Sequence, residues 1–186
     1  KLLSFPVDAV FFTGSYGTGK KIAEKIAGRF VKGTFELGGK DPAYVCSDAN
    51  LDRVVANLVD GVFYNAGQSC CSVERIYLHQ DIYDAFLESF LIETKKLTVG
   101  DPLANDTYMG PLARSEQRKY LDRQAEDAIG KGATEILAGG CSAGKGYFYK
   151  PRVFCHVSHD MLLMKEESFG PIIGLMKVKN DEEALK

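Results

Sequence analysis

No apolar run in this sequence approaches the roughly 20 residues that a membrane-spanning helix needs, and no secretory leader is visible at its start. Neither sign of charge dominates. Lys and Arg number 23 against 25 Asp and Glu, for a formal net charge of -2, and the two signs alternate along the helical stretches. The basic footprint of a nucleic-acid binder is therefore missing. Five cysteines is an odd number, widely spaced in 186 residues. That argues against a disulfide framework and for free thiols in a reducing compartment, with the cytoplasm as the expectation. Internal repeats and low-complexity tracts are also missing. An initiator Met is lacking too, and Asn180 to Lys186 read as an N-cap and an acidic first turn with little helix behind them. The expectation is an internal piece of a longer protein. What is present is 45% apolar, enough for one globular domain or one domain with part of another.

Helical and β-rich runs alternate along the chain. The apolar run Ala9-Val10-Phe11-Phe12 predicts a buried strand, and Ile22, Ala23, Ile26, Ala27 and Phe30 predict one face of a helix. Asp48 is the expected N-cap of a helix bearing Leu51, Val54, Val55, Leu58, Val59, Val62 and Phe63, with Gly67 as its C′ residue. A strand over 73–79 follows, then a helix capped by Asp81 with Ile82, Ala85, Phe86 and Phe90 on one side. Ser115 opens a third helix that ends near Gly132. Strand signals close the chain at 135–138, 147–157 (broken by Pro151) and 172–178. The pattern predicts an α/β protein with a largely parallel sheet.

Four stretches bear chemistry. In Thr13-Gly14-Ser15-Tyr16-Gly17-Thr18-Gly19-Lys20 a strand, a glycine loop and a helix follow one another, the arrangement that holds phosphate groups on backbone amides. Gly14, Gly19 and Lys20 also fit a P-loop until Lys21 stands where Ser or Thr would hold magnesium. Glu36, between Phe35 and Leu37, reads either as a half-buried carboxylate suited to general-base work or as an ordinary strand-end acid. Gly67-Gln68-Ser69-Cys70-Cys71 places two thiols on a glycine turn between a helix and a strand, where local amides can face a reacting oxygen. Glu166-Glu167-Ser168-Phe169-Gly170-Pro171 is either a plain acidic loop or a carboxylate for ribose hydroxyls beside a ring for a flat cofactor. Cys46, Cys141 and Cys155 read as core residues. Cys155-His156-x-x-His159 lacks a second cluster to complete a metal site, so none is expected.

Taken in order, Phe12-Thr13-Gly14-Ser15-x-x-x-Gly19, Glu36-Leu37-Gly38-Gly39-Lys40, Gly67-Gln68-x-Cys70 and Glu167-x-Phe169-Gly170-Pro171 resemble the NAD(P)-dependent aldehyde dehydrogenase superfamily over essentially the whole chain. The resemblance implies that residues 1–35 are the tail of a Rossmann-type cofactor domain and 36–186 most of an α/β catalytic domain. It implies that Cys70 is the nucleophile, Cys71 its variable neighbour, and Glu36 the base that activates water. Gly14, Ser15 and Gly19 would lie beside the pyrophosphate of NAD or NADP, and Leu37 near the nicotinamide amide. Glu167 would hold the nicotinamide ribose, with Phe169 packed beside the cofactor. It also implies an aldehyde as substrate and a homodimer or homotetramer. The family's oxyanion asparagine and adenosine-binding lysine would precede Lys1, and its oligomerisation strand would follow Lys186. Ser168 departs from the apolar residue usual between the Glu and the Phe, which reads as a small change near the cofactor. A non-catalytic relative and a P-loop phosphotransferase are the alternative classes.

Overall fold

The computed structural model describes residues 1–142 and 144–186. Its chain divides into two compact units, Lys1–Gly39 and Lys40–Lys186.

The first unit is a strand–helix–strand. Strand β1 (Ala9–Gly14) leads through Ser15 into helix α1 (Tyr16–Ile26), and a 3-10 turn at Ala27–Arg29 returns the chain to β2 (Lys32–Leu37). The strands are parallel, with Thr13 opposite Glu36 and Gly14 opposite Leu37. The Arg29 guanidinium donates to the Leu3 and Phe5 carbonyls, tying the leading residues to the end of the helical stretch. Two expectations fail here. Strand β1 is not buried but alternates exposed and half-buried residues, leaving Phe11 76% exposed; successive side chains of a strand point to opposite faces. Phe30 falls off the helical face because α1 ends at Ile26 and Phe30 itself adopts a left-handed φ of 52°.

The second unit is built on a five-stranded sheet in the order β3-β4-β9-β8-β5. Its elements are β3 (Asp41–Val45), α2 (Leu51–Phe63), β4 (Val73–His79), α3 (Tyr83–Lys95), α4 (Ser115–Gly130) and β5 (Thr134–Leu137). Then come β6 (Gly140–Cys141), β7 (Tyr149–Lys150), β8 (Arg152–Cys155), α5 (Leu162–Lys165), β9 (Ile172–Val178) and α6 (Asp181–Ala184). Strands β3, β4, β9 and β8 run parallel, and edge strand β5 is antiparallel to its neighbour. Strands β6 and β7 form a separate antiparallel pair.

Fully buried Ile76, Leu78, Ile173 and Leu175 come from the central strands. The Phe86 and Phe90 rings stack at 5.4 Å between centroids, and Phe63 meets Phe90 at 6.1 Å. Helix α4 buries Leu121, Ala125 and Ala128 in the same core, at the i, i+4, i+7 spacing of a single helix face. Each large aromatic or aliphatic side chain of this kind contributes about 1.5–3 kcal/mol on burial.

Several boundaries differ from expectation. Asn50, not Asp48, caps α2, its Oδ1 accepting the Arg53 N–H at 3.0 Å. The helix ends at Phe63, four residues before Gly67, because Tyr64 leaves helical geometry and Asn65 and Ala66 both turn left-handed. Asp81 does not cap α3: Ile82 occupies the N-cap without a side-chain bond, and the Asp81 N–H donates to His79 Nδ1 instead. The expected strand over 147–157 splits at Pro151 into β7 and β8, which join different sheets. Strand β3 escaped notice because Pro42 reads against a strand, yet an edge position tolerates proline. Cys46 and Cys141 are exposed, and of the three cysteines expected in the core only Cys155 is buried. Among the described residues no helix is long and apolar enough to cross a membrane.

Candidate active site

Cys70 occupies a turn closed by the Ser72 N–H donating to the Ser69 carbonyl at 3.2 Å. Both ends of that turn are fastened. On the near side, Asn65 Nδ2 donates to the Gln68 carbonyl at 3.0 Å while Gln68 Nε2 donates to the Asn65 carbonyl at 3.1 Å. The Gln68 side chain also accepts the Ala113 N–H at 2.8 Å, linking the turn to the loop before α4. On the far side, buried Ser72 donates to the Gly61 and Val62 carbonyls at the end of α2. Cys70 and Cys71 are both exposed. They differ in that Cys71 is engaged locally, its Sγ 3.3 Å from Ser69 Oγ and its N–H donating to the same oxygen. Cys70 Sγ makes no such contact among the described residues.

Gly67 brings a second loop to the turn. It has a φ of +70°, and a Cβ built there would lie 2.4 Å from the Gly170 carbonyl oxygen. Only glycine allows both the left-handed backbone and this approach. The Gly-Gln-x-Cys and Glu-x-Phe-Gly-Pro stretches, about 100 residues apart in the chain, therefore meet backbone to backbone.

The loop 166–171 is held from two directions. From α4, Gln124 Nε2 donates to the carbonyls of Glu166 and Glu167, each at 3.3 Å, and Gln117 Nε2 donates to the Ser168 carbonyl at 2.5 Å. Glu166 itself is clasped by Arg123 at 2.6 Å and by the Tyr120 hydroxyl at 2.9 Å. From β4, the Glu74 carboxylate accepts the Ser168 N–H at 2.7 Å and the Phe169 N–H at 2.9 Å. Glu74 also pairs with Lys40 Nζ at 2.8 Å, and both side chains are largely buried. Burial draws the Lys40 ammonium below the ordinary lysine value, while Glu74 against it pushes the other way. Lys40 donates further to Ser168 Oγ at 2.8 Å, and the Ser168 hydroxyl donates its own proton to Gln124 Oε1 at 2.7 Å. Ser168 is thus a fully buried member of a polar network. Glu167 and Phe169 on either side of it are half-buried, and Phe169 is left-handed at φ 49°.

In the first unit, Gly14, Ser15, Glu36 and Leu37 gather at the carboxyl ends of β1 and β2, where α1 begins. The Ser15 carbonyl accepts the N–H groups of Thr18 and Gly19, and its hydroxyl donates to Thr18 Oγ1 at 3.0 Å. A Cβ on Gly19 would lie 2.7 Å from Leu37 Cδ2, so helix and strand close tightly there. Glu36 is exposed, not half-buried, because Phe35 and Leu37 take the covered face of the alternation and Glu36 the other.

Sequence reasoning missed Glu74, Gln124 and Gln117 and assigned no role to Lys40. Two signals were available. Glu74 is an acid between Val73 and Arg75 that the burial alternation of a strand turns inward, and Gln117, Leu121 and Gln124 share a face of α4. The histidines go elsewhere: His159 Nε2 lies 2.8 Å from the Tyr77 hydroxyl and His156 Nδ1 3.2 Å from Thr134 Oγ1. Among the described residues no group of three or more His, Cys, Asp or Glu could hold a metal ion.

A glycine turn at the ends of parallel strands in one unit, and in the other a thiol on a fastened turn that abuts an acid–aromatic loop, belong to an α/β fold that presents an accessible cysteine. The model of the aldehyde dehydrogenase family matches residues 4–186, and the chain belongs to that family. An aldehyde dehydrogenase of Davidiella tassiana is 39% identical over 181 residues, covering 97% of this chain and 36% of the relative. A succinate-semialdehyde dehydrogenase [NADP(+)] of Mycobacterium ulcerans is 40% identical over 181 residues, covering 97% and 39%. The crystal structure of betaine aldehyde dehydrogenase from Staphylococcus aureus in complex with NAD+ superposes with a TM-score of 0.91 at 32% identity, over 96% of this chain and 36% of that one. The chain thus spans little more than a third of the length of the relatives it matches.

Proposed function

We propose that this chain carries the nucleophile, the base and part of the cofactor cradle of an enzyme that oxidises an aldehyde to a carboxylic acid with NAD+ or NADP+. The observation that carries this reading is the backbone contact of Gly67 with Gly170, which sets the cysteine turn against the acid–aromatic loop. The cofactor reading is supported by the close fit of Gly19 against Leu37 beside the first turn of α1. The N–H groups of a helix's first turn have no intrahelical acceptors and suit a phosphate. Gly14, Ser15 and Gly19 would serve the pyrophosphate, Leu37 the nicotinamide amide, Glu167 the nicotinamide ribose and Phe169 the adjoining face. In this reading residues 1–35 are the cofactor domain's tail and 36–186 most of the catalytic domain, while the compact units divide four residues later, after Gly39.

Cys70, as the thiolate, attacks the carbonyl carbon. A C–S bond forms and the carbonyl π pair moves to oxygen, where the Cys70 N–H contributes to the oxyanion site. When bound, NAD(P)+ supplies the acceptor for the hydride that leaves this carbon, so the adduct on Cys70 passes from thiohemiacetal to thioester. Glu36 takes a proton from water, the oxygen attacks the thioester carbon, and the C–S bond breaks to give the acid and restore the Cys70 thiolate. The exposed position of Glu36 on β2 leaves its carboxylate reachable by water.

The test is Cys70→Ala in the natural-length protein, followed by NAD(P)H production across a panel of aldehydes. Turnover should fall by roughly 10⁴-fold or more, as when a nucleophile is removed. Retained turnover contradicts the assignment.

A further inference from the structure

We propose that Glu74 is a positioning residue for Glu167: from strand β4 it fixes the peptide groups that aim the ribose-binding acid, with Lys40 as its charge partner. The proposal rests on the reading of Glu167 above and assigns a function to a residue that reading leaves unused.

The hydrogen-bond pattern singles it out. The peptide group joining Glu167 to Ser168 is held at both ends, its carbonyl by Gln124 Nε2 at 3.3 Å and its N–H by Glu74 Oε2 at 2.7 Å. The next N–H, that of Phe169, goes to Glu74 Oε1 at 2.9 Å. Two consecutive amides on the two oxygens of one carboxylate fix the backbone on the carboxyl side of Glu167. A buried carboxylate is a strong acceptor for this purpose, and its charge is met by Lys40 Nζ at 2.8 Å. The Ser168 hydroxyl completes the shell by donating its proton to Gln124.

A core ion pair that merely stabilised the sheet would not need backbone amides of this loop. This one commits both oxygens to them. The loop also carries a strain that needs support, since Phe169 is held left-handed at φ 49°, a conformation that costs a non-glycine residue on the order of 1 kcal/mol. Finally, Glu74 lies two residues beyond Ser72, the anchor of the Cys70 turn. One strand end therefore fixes both the thiol turn and the acid loop.

The experiment is a double-mutant cycle on cofactor affinity in the natural-length protein, read by calorimetric titration of NAD+ and NADP+ without aldehyde. Glu74→Gln should weaken binding on the order of tenfold, the loss of a charge-assisted contact. Glu167→Gln should weaken it comparably. In the Glu167→Gln background, adding Glu74→Gln should weaken binding less than about threefold further, because the two residues act as one unit. Multiplying effects, or a Glu74→Gln protein that binds as wild type, overturn the proposal while leaving the assigned function standing. Wild-type protein that binds neither cofactor overturns the function and the proposal with it. Should Glu74→Gln fail to fold, as judged by its thermal transition, Gln117→Ala decides. That change removes the donor to the Ser168 carbonyl from a half-buried helix position and should weaken binding about threefold at an unchanged transition temperature. Unchanged affinity would overturn the proposal.

Discussion

The two units hold their loops by different means. In Lys1–Gly39 the glycine turn is shaped locally: Ser15 accepts from Thr18 and Gly19, three and four residues on, and its more distant support is the adjoining strand. Just two residues of α1, Gly19 and Ile26, are buried. In Lys40–Lys186 the Cys70 turn and the 166–171 loop are shaped from afar, by Gln68 reaching Ala113, by Glu74 reaching Ser168 and Phe169, and by Gln124 reaching Glu166 and Glu167. A phosphate-type site can be made from backbone amides of neighbouring residues. Two loops from distant parts of the chain need a framework that fixes their separation, and a five-stranded core supplies it.

The contrast is broken most sharply by the same substitution made at one glycine of each unit. Gly67→Ala forces a methyl group onto the Gly170 backbone at a left-handed φ, where neither neighbour can yield cheaply. It should cost about 3 kcal/mol. Gly19→Ala presses on the end of the flexible Leu37 side chain, with the Phe35 ring in ordinary contact, and gains helix propensity worth about 1 kcal/mol. Its net effect should stay within about 1 kcal/mol. Denaturant unfolding midpoints compare the two; equal costs would remove the distinction between locally and distantly shaped loops.

A smaller effect sharpens the same comparison through helix caps. Asn50 caps α2 with a side-chain bond, whereas Ser15 before α1 makes none to the helix backbone. Asn50→Ala should cost about 1 kcal/mol of stability, and Ser15→Ala should cost less. Thermal unfolding at matched conditions checks the order, and a larger loss at Ser15 would reverse it.

How legible each unit was in the sequence follows from this difference. Short-range signals read well: the strand–glycine–helix succession, the strand over 73–79 and the apolar face of α2 appear where expected. Signals that depend on distant partners did not. The exposure of Glu36 stayed open, because alternation says which residues share a face but not which face is covered. The end of α2 was misplaced because glycine is the usual left-handed residue, whereas here Asn65 and Ala66 take that conformation first. Ser168 read as a minor departure because its meaning lies in Lys40 and Glu74, 128 and 94 residues away. The Cys70–Cys71 pair, by contrast, sits on a short-range turn, and the two thiols differ locally in the Ser69 contacts of Cys71.

The proposal is that Cys70 bears the acyl group and Glu36 releases it. It is tested most directly by trapping that intermediate. Glu36→Gln in the natural-length protein should slow release, so that mixing with aldehyde and NAD+ or NADP+, followed by acid quenching and fragmentation mass spectrometry, finds the acyl mass on a single thiol. The account predicts that it lies on Cys70. An acyl group on Cys71, or none on either thiol despite NAD(P)H formation, would contradict it.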